Sequence, residues 1–158
     1  RERDRAKAGA GRSTLNRLEL TPADANQQHR YKKIVLNEGA TDLALVEVFL
    51  EAHAAAPEQM VLDLDATHDP IHGEQEGRFF HGFYREYCYL PLYIFCGEFL
   101  LCARLRPSNI DASAGALEEV QRIVLQIRAR WPGAPIILRA DSGCAWPGFL
   151  SSPFPPPP

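Results

Sequence analysis

The chain has 158 residues, enough for one domain with a substantial core and too few for two. Hydrophobic residues make up 46% and charged residues 23%, ordinary values for a globular protein. The formal net charge of −3 excludes a strongly basic protein that coats nucleic acid, but leaves room for a DNA enzyme whose cationic groups share one face.

Residues 1–30 are polar and charged, with "STLNRLEL" as the main apolar interruption, and are expected to be poorly ordered. Over 41–55, "TDLALVEVFLEAHAA" places Leu43, Val46, Phe49 and Leu50 at helical spacing. Thr41 or Asp42 is the expected cap, and Pro57 the expected stop. Residues 60–65 read as a short buried strand, followed by a loop rich in His, Asp, Glu, Pro and Gly.

The long aromatic and aliphatic stretch over 79–105 contains "CGE", a hairpin turn between expected strands at 92–95 and 99–105. Over 116–131, Leu117, Val120, Val124, Ile127 and Trp131 form one helical stripe, ended by Trp-Pro-Gly. A second buried strand, "PIILRAD", runs over 135–141. Helix, strand, strand pair, helix and strand in that order predict an α/β layered fold.

Cys88, Cys96, Cys102 and Cys144 form no Cys-x-x-Cys pair, so buried reduced thiols are expected rather than a zinc site. No apolar run approaches the roughly 18 residues of a membrane span. No signal-peptide pattern opens the chain, and a cytoplasmic protein without membrane contact is expected.

Chemistry concentrates in "VLDLDATHDPIHGEQEG". Asp63 and Asp65 are two apart on a strand and share one face, while Leu62 and Leu64 take the other. Asp141 ends the second apolar strand in the same way. Two carboxylates at neighbouring strand ends suit Mg²⁺, a hard cation that prefers oxygen ligands. Aspartate at a strand end also accepts hydrogen bonds from turn amides, so the charge pattern leaves both readings open. His68 and His72 stand at a metal-ligand spacing, but Pro70 between them argues for loop histidines. His81 and Tyr84 read as packing residues. Arg78, Arg85, Arg104, Arg106 and Arg139 offer phosphate contacts, though scattered surface charge is the simpler reading.

In order along the chain, "HGEQEGRFFHGFY", "LPLYIFCG", "ARLRPSNIDASAG" and "IILRADSG" resemble bacterial insertion-sequence transposases of the Asp-Asp-Glu type, over about residues 13–143. The resemblance implies a ribonuclease-H-like fold: a mixed sheet with flanking helices. Its first strand carries the first Asp, two antiparallel strands and a helix follow, and a fourth strand carries the second Asp. It implies Mg²⁺ (with Mn²⁺ as a substitute) and DNA as partner, both terminal inverted repeats and target. The activity implied is strand cleavage and strand transfer, and the intact family admits a homodimer. Asp65, in "DAT", matches the first metal ligand and Asp141, in "RADSG", the second. Asp63 is held in reserve, and Glu74 and Glu76 are placed near the active face.

The family's third acid, a Glu on a later helix, has no match after Asp141, where "CAWPGFLSSPFPPPP" lacks a helical pattern. A partial catalytic domain over 31–143 with a Pro-rich, non-family tail over 144–158 is therefore expected: a truncated, inactive remnant, localised to the cytoplasm or nucleoid. Two alternatives stand beside it. "VLDLDAT" also fits the haloacid-dehalogenase-like phosphatase signature, with Asp63 as nucleophile and Asp65 as general acid/base. The other is a folded domain without catalysis.

Overall fold

A computed structural model describes residues 37–75 and 77–140. The expected segments 1–30 and 144–158, together with Glu76, Asp141 and Cys144, lie outside the described residues. By compactness the chain divides into Arg1–Thr41 and Asp42–Pro158.

The first helix, α1, spans Glu38–Glu51 and starts three residues before the expected position. Its cap is Asn37, whose Oδ1 accepts the Ala40 N–H at 3.1 Å. The helix stops well before Pro57 because the His53 Nδ1–H donates to the Phe49 carbonyl at 2.8 Å, satisfying one of the carbonyls a helix end leaves open. Val46, Phe49 and Leu50 are buried as expected, but Leu43 is 54% exposed. Asp42 takes the inward position instead.

The strands are β1 (Met60–Ala66), β2 (Asp69–Pro70), β3 (Phe79–His81), β4 (Glu86–Tyr89), β5 (Leu92–Cys96), β6 (Phe99–Arg104) and β7 (Ile136–Ala140), with α2 (Ala116–Arg130) before the last. The main sheet has the order β6-β5-β1-β7, antiparallel except for the parallel pair β1–β7. This is the mixed sheet expected of the ribonuclease-H-like arrangement: a first strand, two antiparallel strands, a helix, then a strand returning parallel to the first. Gly97 turns the β5–β6 hairpin with φ +59, at the first loop position of a two-residue connection. A register shift opposite Ile94 and Phe95 lets both Leu101 and Cys102 point inward.

Met60, Leu62 and Leu64 of β1, with Leu92 and Ile94 of β5, share one core with α1 and with Val120, Ile123, Val124 and Ile127 of α2. The period-two alternation that buries these side chains turns Asp63 and Asp65 to the opposite face. Leu117 is only half-buried, and Trp131 caps α2 from outside it, its N–H bonded to the Ile127 carbonyl at 2.7 Å. Cys88, Cys96 and Cys102 are buried free thiols, as expected; burial pushes the Cys102 thiol up to about 12.

A second small sheet, β2-β4-β3, forms from the stretch read as loop and aromatic run. Its strands are too short to announce themselves by alternation. Tertiary contacts hold it: Tyr89 bridges Pro107, and the Ser108 hydroxyl donates to the Phe79 carbonyl at 3.0 Å.

Candidate active site

Asp65 is the penultimate residue of β1 and lies exposed at its end. The Thr67 hydroxyl donates to its Oδ2 at 2.6 Å, which orients one oxygen of an exposed carboxylate. Among the described residues Asp65 has no cationic partner. This is the physical content of the Asp-x-Thr spacing: two residues on, the hydroxyl reaches back and fixes the carboxylate.

Asp63 has a different environment. On the same face and one pleat back, its two oxygens accept from Arg139 of β7, Oδ1 from Nε and Oδ2 from Nη2, the latter at 2.6 Å. This fork holds the Asp63 carboxyl below its ordinary value. Sequence reading offered Arg139 as scattered surface charge or as a phosphate contact. The parallel register, with Asp63 opposite Arg139, makes it a cross-strand partner.

The β1–β7 register carries the geometry of the site. Met60 pairs with Ile136 and Leu64 with Ala140, a constant offset of 76 (136 − 60 and 140 − 64). Ala140 is the last described residue, and Asp141 itself lies outside them.

The other singled-out residues divide clearly. Glu74 is exposed in the loop, 3.8 Å from Arg78, and His72 is exposed too. His68 lies 2.7 Å from Glu86, and its ring stacks on Tyr84 at 4.2 Å; Tyr84 also meets His81 at 4.7 Å. Two of the arginines read as surface charge are structural. Arg104 binds Asp42 at 2.5 Å and Glu119 at 2.7 Å, tying β6 to both helices. Arg106 is buried and donates to the carbonyls of Leu90 at 2.9 Å, Ala114 at 2.5 Å and Ala112 at 3.1 Å. Its guanidinium satisfies backbone groups that a buried loop would otherwise strand. Among the described residues, no three His, Cys, Asp or Glu side chains gather as a metal-binding group. No described helix is long and apolar enough to cross a membrane.

The family model for the transposase DDE domain, group 1, matches residues 1–152. The chain belongs to this transposase family. No curated protein and no solved structure matches it. Membership makes DNA the partner class and transposition the process in which this transposase domain takes part. It also gives the exposed Asp65, at the end of the first strand of such a sheet, a chemical context that its charge alone did not.

Proposed function

We propose that Asp65 and Asp141 are the two strand-borne carboxylates of a Mg²⁺-dependent centre for DNA strand cleavage and strand transfer at terminal inverted repeats. The observation that supports this reading is the parallel β1–β7 register, in which Leu64 lies opposite Ala140; in sequence the next residues are Asp65 and Asp141. Period-two alternation turns Asp65 to the face that already holds Asp63 and Arg139. The donor set suits the ion, since Asp65 offers a hard carboxylate oxygen without a competing described cation. A bound divalent ion would activate the attacking oxygen and stabilise the leaving one. The chain's own contribution is to hold Asp65 on a paired strand and to orient it through Thr67.

Asp63 does not compete in this scheme, because Arg139 occupies both its oxygens. The same fork disfavours Asp63 as a phosphatase nucleophile, which needs a free oxygen facing its substrate. Residues 142–158 contain neither Asp nor Glu, and no third carboxylate is assigned among them. With these two carboxylates, binding of the ion without joining of strands is the activity proposed for residues 1–158. The catalytic fold is assigned to 31–143, between the polar segment 1–30 and the Pro-rich 144–158, in a cytoplasmic protein that follows DNA to the nucleoid.

Paramagnetic broadening of amide signals by millimolar Mn²⁺ tests the centre. The expected result is broadening at the ends of β1 and β7, abolished by Asp65→Asn and by Asp141→Asn. Broadening that both variants leave unchanged, or none at these strand ends, sinks the reading.

A further inference from the structure

The small sheet ends in a four-residue turn, 82–85, between β3 and β4. Such a turn tip is ordinarily polar. Here Phe83 stands 83% exposed, the most exposed of the large apolar side chains among the described residues. It is not loosely placed. Its ring meets Tyr84 edge-on at 5.1 Å, Tyr84 stacks on His68 at 4.2 Å, and a Glu86 oxygen lies 2.7 Å from His68 Nε2. His68 is three residues beyond Asp65, about 10 Å of extended chain at most. A run of ring contacts thus leads from His68, two residues beyond β1, to an uncovered phenyl ring.

Arg85 completes the tip. It has φ +58, a left-handed conformation that glycine or asparagine adopts more readily, and its side chain is exposed with no ion pair among the described residues. A costly backbone position occupied by an unpaired cation points to use of the side chain. The neighbouring exposed aromatics differ: Phe80 and Tyr87 pack on each other at 5.6 Å, and Arg78 covers Tyr87 at 4.6 Å.

We propose that the 82–85 tip is a nucleotide clamp, in which Phe83 stacks on an unpaired base of the DNA strand and Arg85 pairs with an adjacent phosphate. The phenyl face fits a base without reading its sequence, and the guanidinium fits phosphate oxygens. The acid that follows the tip in sequence, Glu86, has a carboxylate oxygen 2.7 Å from His68 Nε2. The clamp would hold a frayed strand end next to Asp65. It rests on DNA as the partner, but not on the metal centre.

The test uses the full chain with a single-stranded oligonucleotide carrying 2-aminopurine, and with the matching blunt duplex. Wild type is expected to bind the single strand more tightly and to quench the probe. Phe83→Ala should lose the quenching and weaken binding by about five- to a hundredfold, while Phe83→Trp retains both. Arg85→Gly should weaken binding and reduce the salt slope by about one, yet melt no lower than wild type because glycine suits the left-handed backbone. Equal binding by wild type, Phe83→Ala and Arg85→Gly overturns the clamp, as does a wild type that binds no single strand. If Phe83→Ala instead alters only the sedimentation of the protein, the tip is a contact between copies and the clamp is wrong. Mn²⁺ broadening at the strand ends, present or absent, judges the metal centre separately.

Discussion

Asp63 and Arg139 face each other across the only parallel strand pair of the main sheet, joined through both carboxylate oxygens. The fork gives the two acids of "DLD" different fates: Asp63 becomes a structural anion, and Asp65 remains available. Arg139→Met should therefore raise the Asp63 carboxyl toward its ordinary 3.8, read by carboxyl NMR titration. Asp63→Asn should leave the Mn²⁺ broadening at the strand ends in place, whereas Asp65→Asn removes it. An Asp63→Asn variant that loses the broadening would make Asp63 the ligand instead.

Arg104 is the centre of a partly buried charge network. It neutralises Asp42, which is only 5% exposed, and shares Glu119 with Arg122. Removing the cation leaves a buried carboxylate unpaired, which is more costly than deleting the whole pair. Arg104→Met is expected to lower the unfolding free energy by about 3 kcal/mol in denaturant titration, with much of that recovered in the Asp42→Asn, Arg104→Met double variant. A single variant as stable as wild type contradicts the network's role.

Acid should unfold the protein through the same network. Burial acts to raise the Glu119 carboxyl, but hydrogen bonds from Arg104 and Arg122 outweigh it and hold the group below its ordinary 4.5. Asp63 is held low by Arg139. A carboxyl depressed in the folded state adds stability that is fully present above its unfolded value and is lost as pH falls through its folded one. Urea midpoints should thus stay level from neutrality to about pH 5 and fall below that, as these carboxyls begin to protonate. Glu119→Gln should flatten the fall. A profile that Glu119→Gln leaves unchanged would contradict this assignment.

Much of this was legible in the sequence, and the rest was hidden for identifiable reasons. The alternation of Met60, Leu62 and Leu64 against Asp63 and Asp65 is local, so both the strand and the face of its acids could be read directly. Asp42 could not be placed. A helix-capping aspartate and an inward-facing one look alike in sequence, and its partner Arg104 is 62 residues away. Arg106 was misread, and the partner of the exposed Arg139 missed, for the same reason: a guanidinium owed to distant carbonyls or to a cross-strand carboxylate leaves no local pattern. The β2-β4-β3 sheet escaped notice because strands of two to four residues carry too little periodicity, and contacts from Pro107 and Ser108 decide it. At the candidate site, Asp65 was singled out by the resemblance of its "DAT" context, and its exposure at the end of β1 follows from the strand's alternation. The Thr67 hydrogen bond and the neutralisation of Asp63 needed coordinates.

The most direct measurement is a crystal structure of the chain grown with Mn²⁺, read at the Asp65 and Asp141 carboxylates. The proposed centre predicts an oxygen of each carboxylate about 2.0–2.2 Å from a single shared ion, near the distance Mg²⁺ demands. Carboxylates on opposite faces of the sheet, or an ion bound without either, would contradict the paired-aspartate centre.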